Sequence, residues 1–335
     1  MRRYEKIKHK NRDEWRKTRQ NCITATDCAR ILGKSRFGDG LKVYNSKINP
    51  EFFEDKEINA MYFGRKLEPI GIDAFEEHTG LKAKQNGLTI YRLKSKPFFA
   101  CTPDAIISDN RKPIGLEVKT SRVMGGWPTV PKGQTLDCGD CSEIDLPIDV
   151  ECQVQWSLGI TGFSHWYVVA LLQGSDFRVY KVRPNQKSIE LLQEVAEKFW
   201  VDHILKQNPP EPTFNSDRKD LDKLYPKAAG EVLVLNGESS EAAHYLKTYQ
   251  DAVEAAKLAT ATKEFAALKL KAIIKDAPAV EIEKDDQTWI AQWANKKGSL
   301  RFDVEALKKE HPELYENYLT RGKSSRAFSL KQKRK

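Results

Sequence analysis

No stretch of this sequence is long and apolar enough to cross a bilayer. Its longest apolar run, Trp166 to Leu172, falls far short of the ~20 residues that a spanning helix needs. Behind the basic N-terminus, MRRYEKIKHK, no apolar segment follows, so no secretory leader is expected. The six cysteines, at 22, 28, 101, 138, 141 and 152, lack the regular spacing of a disulfide framework, which points to a reducing, intracellular compartment. Cys138-Gly-Asp-Cys141, with Cys152 downstream, offers half of a structural zinc set, but the second ligand pair is missing; ordinary free thiols in a loop are the simpler reading. No internal repeat is evident. What is present, 40% hydrophobic and 31% charged residues in a chain of 335, excludes disorder and can bury one large core plus a second domain or appendage.

Charge is concentrated at the ends. Residues 1–19 carry nine Lys/Arg against three acids, and residues 321–335 carry seven Lys/Arg and no acid. With a net charge of +9, the body between them is mildly acidic. Basic arms on such a body suit a polyanion, although solvated tails account for them equally well.

Along the chain, 22–33 reads as a turn and a short helix ending at Gly33, with Thr24 or Thr26 as N-cap. A second helix is expected over 61–80, stopped by Gly80; Pro69 would suit its first turn better than its interior. Short strands follow at 87–93, 97–101, 105–108 and 114–119, then a long Gly/Pro/Asp-rich loop over 122–147. A helix at 149–161, strands at 165–172 and 177–182, and a helix at 188–207 lead to a boundary at Pro209, Pro210 and Pro212. The expected organisation is a mixed α/β domain over 1–215 and a mostly helical extension over 216–335. That extension has an alanine-rich helix with an apolar stripe at 238–275, a strand pair within 279–303, a helix at 304–319 and the basic tail.

The chemistry rests on Glu117-Val118-Lys119. Alternation along a strand sends Glu117 and Lys119 to one face, while the Val118 carbonyl stays available. Acid-X-Lys is common: Glu54-Asp55-Lys56 and Asp217-Arg218-Lys219 recur in polar surroundings as surface charge. Glu117 differs because Ile114, Leu116 and Val118 embed it in an apolar strand, where charges are rare unless paired or bound to metal. A buried Glu–Lys ion pair is the competing explanation. Pro103-Asp104 supplies a second carboxylate, and hydrolysis of a phosphodiester calls for such hard oxygen ligands.

Pro103-Asp104 followed by Glu117-Val118-Lys119 resembles the PD-(D/E)XK nuclease signature. The flanking blocks resemble its phage lambda exonuclease-type, viral recombinase branch: Trp15–Arg19 with Ile23–Asp27, Phe63–Pro69 with Phe75 and Gly80, Ala100–Asp104, Gly115–Thr120, and Gln153–Gln155 with Gly162. They run in family order over residues 15–210. The resemblance implies a restriction-endonuclease-like core and two Mg²⁺ or Mn²⁺ ions held by Asp104, Glu117 and the Val118 carbonyl. It also implies that Lys119 orients the attacking water, with Glu68 as an additional acid and Gln153 completing the site. Arg19, Thr26 and Thr102 match positions that cradle the 5′-phosphate of the digested strand; a guanidinium is a natural bidentate phosphate binder. The implied protein is a homotrimeric, 5′→3′ exonuclease on linear duplex DNA, cytoplasmic in a bacterial host or prophage-bearing cell. It would leave 3′ single strands for phage-type recombination, with a single-strand annealing protein as a possible partner and no membrane association. The rivals are an endonuclease or a nuclease of other polarity on the same core, and a non-catalytic DNA-binding module. Trp127 is expected to pack rather than stack on DNA, and Arg36, Lys42, Arg65 and Lys66 are candidates for a DNA path.

Overall fold

The computed structural model describes all residues except 1, 50–58, 110–111, 214–215, 217, 229, 236–239, 323–325 and 333–335. It divides into two compact units, Met1–Pro226 and Lys227–Lys335. The decoy triplets at 54–56 and 217–219 fall wholly or partly outside the described residues.

The first unit opens with β1 (Tyr4–Lys8), α1 (Arg12–Gln20), α2 (Ala25–Ile31), α3 (Gly40–Ile48) and α4 (Asn59–Thr79). Six strands follow: β2 (Ala83–Gln85), β3 (Thr89–Leu93), β4 (Ala100–Cys101), β5 (Ala105–Asp109), β6 (Lys112–Ser121) and β7 (Thr135–Asp137). Then come α5 (Ile148–Thr161), β8 (Trp166–Leu172), β9 (Asp176–Val182), α6 (Gln186–Phe199), a π-helical turn at Trp200–Leu205, and α7 (Arg218–Leu224).

Six strands form a mixed sheet in the order β2-β5-β6-β8-β9-β7, with helices on its faces. β6 runs parallel to β8, and β7 parallel to β9; the other pairs are antiparallel. A mixed α/β class is what the sequence pattern predicts. β8 is apolar on both faces because it is covered on both. Val168 and Ala170 join the core cluster that includes Val154 and Trp156 of α5, while Val169 joins the one that includes Ile72 and Phe75 of α4. The α4 side is drawn in tightly: a Cβ on Gly71 would lie 2.5 Å from Val118 Cγ1. A smaller antiparallel sheet, β1-β3-β4, sits beside it.

Several boundaries differ from the sequence reading. α4 continues through Pro69, which is exposed, so water can take the carbonyl that loses its donor. The helix expected at 188–207 changes to π geometry at Trp200. The loop at 122–147 contains β7, an edge strand. Arg178 and Tyr180 bind that loop by donating to the Trp127 and Pro128 carbonyls at 2.8–3.0 Å. Beyond the prolines, Asp39 accepts from the Thr213 amide (3.1 Å) and hydroxyl (2.6 Å), and Asn45 donates to the Asp220 carbonyl (2.8 Å), which holds this stretch to the first unit.

The second unit comprises α8 (Glu241–Ile274), the hairpin β10 (Ala279–Lys284) and β11 (Gln287–Gln292), α9 (Val304–Glu310) and α10 (Pro312–Asn317). The helix expected at 304–319 is divided at His311-Pro312, since proline cannot continue the hydrogen-bond ladder. Among the described residues, no helix is long and apolar enough to cross a membrane.

Candidate active site

β6 carries the site at its C-terminal end. Glu117 and Lys119 project to the α5 face, and Gln153 of α5 meets them there. The Lys119 ammonium donates to Glu117 Oε1 (2.5 Å) and Gln153 Oε1 (2.8 Å), while Gln153 Nε2 donates to the same Glu117 oxygen. Three side chains thus close a triangle around a carboxylate that is only 4% exposed.

Asp104 sits where β5 has not yet begun. Its amide donates to the Leu116 carbonyl at 3.1 Å, and its own Oδ2 accepts from the Val118 amide at 2.7 Å. Leu116 and Val118 direct their main-chain groups to the same edge of β6, so the Val118 carbonyl faces the gap left by β5. Glu68 of α4 accepts from Gln85 Nε2 at 3.2 Å.

These charges work against one another. Burial, then repulsion from Glu117, pushes Asp104 well above the usual carboxylate range, with Lys119 opposing. Burial also raises Glu68, despite the Gln85 hydrogen bond, and Glu117 adds to the rise. For Lys119, burial alone would lower the pKa, but Glu117 and Asp104 outweigh it and hold the ammonium protonated. A divalent cation is the counter-charge that such a group of acids calls for, and the oxygen donors of Asp104, Glu117 and Val118 are the hard ligands that Mg²⁺ or Mn²⁺ takes. Among the described residues, no three His, Cys, Asp or Glu side chains form a metal cluster; the third donor of this set is main-chain.

A second constellation lies alongside. The Arg19 guanidinium reaches the hydroxyls of Thr102, Thr24 and Thr26, each at 3.4 Å, and lies 4.4 Å from the Trp15 ring centroid. No carboxylate forms an ion pair with it among the described residues; burial pulls its pKa down, and the Asp27 carboxylate opposes that. The threonines converge because Ile23 pairs with Phe99: the Ile23 amide donates to the Phe98 carbonyl (2.7 Å), and the Ala100 amide to the Ile23 carbonyl (3.0 Å). Thr102 precedes Asp104 by two residues, which couples the two constellations covalently. A cavity of about 240 Å³ also joins them, lined by Thr26 and Arg30 on one side and Lys119, Asp149 and Gln153 on the other.

The structure therefore brings Asp104, Glu117, Lys119 and Gln153 together, with Glu68 on the neighbouring helix, and separately gathers Arg19, Thr26 and Thr102. The sequence reading gave no site role to Thr24, Asp27 or Lys47. Asp27 Oδ2 accepts from the Thr24 amide (2.9 Å) and hydroxyl (2.8 Å) and from Lys47 Nζ (2.9 Å). Thr24-Ala-Thr-Asp27 is a capping-box spacing that signals the first two; nothing local signals Lys47. Trp127 packs 5.7 Å from Tyr180, as expected, and also lines the cavity, as does Arg36. Lys66 lies over the Tyr62 ring instead. Cys138, Cys141 and Cys152 are core residues whose thiols burial raises to about 11, about 12 and about 12, away from the thiolate that zinc requires.

Residues 14–164 match the family model of the YqaJ-like viral recombinase domain. The uncharacterized protein YqaJ of Bacillus subtilis (strain 168) is 23% identical over 313 residues, spanning 91% of this chain and 90% of that protein. Among solved structures, an alkaline exonuclease from Laribacter hongkongensis matches at 15% identity and TM-score 0.44, covering 58% of this chain and 93% of that one. A phage related exonuclease from Haemophilus somnus 129PT matches at 13% identity and TM-score 0.38, covering 56% and 96%. Both constellations lie inside residues 14–164, the stretch that is similar to the YqaJ-like viral recombinase domain.

Proposed function

We propose that this protein is a Mg²⁺- or Mn²⁺-dependent deoxyribonuclease that digests one strand of linear duplex DNA from its 5′ end. The observation that carries the reading is the adjacency of two devices: an acid–lysine–glutamine triangle with Asp104 beside it, and an arginine–hydroxyl cradle two residues upstream along the same strand connection. The first suits hydrolysis of a phosphodiester, and the second suits a terminal phosphate. An exonuclease that engages a 5′-phosphate end uses both at a fixed separation.

A divalent cation bound by Asp104, Glu117 and the Val118 carbonyl would neutralise the scissile phosphate and acidify water at neutral pH. Lys119, kept charged by its two acids, donates a hydrogen bond to the attacking water and to the developing negative charge. Gln153 holds Lys119 and Glu117 in register through its amide. Arg19, stacked on Trp15, takes the terminal phosphate while Thr26 and Thr102 donate hydroxyls to it. Glu68 adds negative charge on the α4 side of the centre. The substrate reading extends to recombination, where the product is a 3′ single strand.

The test compares linear duplexes bearing 5′-phosphate or 5′-hydroxyl ends with closed circles, in Mg²⁺, for the wild type and Lys119→Ala. Release of mononucleotides from linear DNA, faster from phosphorylated ends, is expected. Degradation of circles at a similar rate would sink the exonuclease reading, and an unimpaired Lys119→Ala would sink the assigned centre.

A further inference from the structure

The second unit carries a feature that the nuclease chemistry does not use. α8 spans 34 residues, about 50 Å at 1.5 Å per residue, and only Ile274 among them is buried. Ser240 caps it, accepting from the Ala243 amide at 3.2 Å. A helix so exposed gains little from packing, which is what normally stabilises helices in water. One line of its residues keeps a heptad period, while Leu258, Phe265 and Leu268 stand exposed on its other faces. From Tyr245 to Ile273, alternating steps of four and three residues meet an apolar side chain at every position except Lys263. The tyrosines, Tyr245 and Tyr249, come first, Ala252, Ala256 and Ala259 occupy the middle, and Leu270 and Ile273 come last. Tyr245 is 60% and Ile273 64% exposed. A 3.5-residue repeat sustained over four heptads is the seam of a left-handed coiled coil.

We propose that α8 pairs with α8 of a second copy of this chain, antiparallel, with the two-fold axis near Ala255–Ala256. Size and charge both select this partner and direction. In an antiparallel pair centred there, Tyr249 of one helix faces Ala259 and Ala266 of the other, and Tyr245 faces Lys263 and Leu270, so bulky side chains meet small or flexible ones. A parallel pair would set tyrosine against tyrosine at one end and alanine against alanine in the middle, at unequal helix separations. Glu241 and Lys269 lie four heptads apart, at the same flanking position beside the seam. The antiparallel dyad places Glu241 of each copy beside Lys269 of the other, twice per dimer. The parallel arrangement brings Glu241 to Leu246 and Lys269 to Ile274, with no ion pair. The rival cover is intramolecular: Phe328 of the tail touches Tyr249 edge-on, with ring centroids 5.7 Å apart. This inference is independent of the nuclease reading.

The experiment is sedimentation equilibrium of the full chain. Ala256→Glu puts two carboxylates at the dyad of the dimer but is an exposed, helix-compatible change in a single copy. It is expected to weaken association at least about tenfold. Glu241→Lys and Lys269→Glu should each weaken it, and the double variant should restore it. Association unaffected by Ala256→Glu overturns the proposal, as does a double variant no better than the singles. Association that strengthens in Phe328→Ala only when Ala256 is intact supports competition by the tail for the same seam; strengthening irrespective of residue 256 overturns it. Direction is read from a short bis-maleimide, the native cysteines being buried. Ala255→Cys should cross-link copy to copy and Glu241→Cys should not; equal cross-linking at both positions, or at Glu241→Cys alone, overturns the antiparallel assignment.

Discussion

Lys47 and Asp27 form an ion pair at 2.9 Å with side chains 3% and 6% exposed, and the same ammonium donates to the Arg19 carbonyl at 3.2 Å. One buried charge therefore braces α3, the N-terminus of α2 and the last turn of α1, the three pieces that frame the phosphate cradle. Lys47→Met would leave Asp27 desolvated and unpaired. The expected cost is about 3–5 kcal/mol of stability, read from urea denaturation. A loss under about 1 kcal/mol would show that water reaches Asp27 and that the brace is dispensable.

The same pair sets an acid limit. Burial works to raise the Asp27 pKa, but Lys47 overcomes it and holds the carboxyl at about 2. Its folded value lies below the unfolded one, so its contribution is present above pH ~4 and is lost as pH falls toward 2. That contribution is on the order of 2 kcal/mol. In Asp27→Asn, stability should fall less steeply between pH 4 and 2 than in the wild type; parallel curves would remove Asp27 from the acid transition.

For Asp104 the sign is reversed. Its pKa is raised by burial and by Glu117, so ionisation at neutral pH strains the metal-free fold. Asp104→Asn keeps an oxygen for the Val118 amide and removes the charge. The thermal midpoint without metal should rise, while cleavage should be abolished and Mg²⁺ should no longer stabilise. A lower midpoint in the variant would contradict the electrostatic account.

Lys119 and Gln153 should separate by role. Lys119→Ala is expected to lower kcat by at least about 100-fold. Gln153→Ala leaves the Glu117–Lys119 pair in place and should cost about 10-fold to 100-fold in kcat, with little change in KM. Equal and complete loss in both would mean that Gln153 does more than hold its neighbours.

Two glycines of α4 make a controlled contrast. A methyl at Gly71 would meet Val118 Cγ1 at 2.5 Å, whereas at Gly64 the nearest atom is Thr120 Oγ1 at 3.7 Å. Gly71→Ala should therefore destabilise by about 1–3 kcal/mol and depress activity, since it displaces the strand between Glu117 and Lys119. Gly64→Ala should be neutral or stabilise by up to about 1 kcal/mol. Matching effects at the two positions would count against close packing of α4 on β6.

What could be read in advance follows physical reach. Strand β6 announces itself because two charges interrupt an apolar alternation, and α5 because its C-terminal end is marked by Gly162. Thr24-X-X-Asp27 carries its own capping signal. Lys47 carries none: its partner is 20 residues away, on a helix whose apolar pattern is short and interrupted. β7 was equally silent, since a three-residue edge strand, half-exposed, has too few buried positions to show a period. Pro69 misled because it forbids helix continuation only where its lost hydrogen bond cannot be replaced by water.

The contact between Ile23 and Phe99 has a bearing on which sequence changes the protein can absorb. It is a single bridge rather than a ladder, and side chains alternate on either side of it. Removing or adding one residue between Arg19 and Thr24 would shift the Thr24 and Thr26 hydroxyls relative to the guanidinium, with no neighbouring pairs to correct the register. The 122–147 segment, by contrast, is anchored at Trp127, Pro128 and β7, and its exposed turns between those anchors can change length with little consequence for the cradle. Length variation among homologues should accordingly be scarce across 19–26 and common near Gly133.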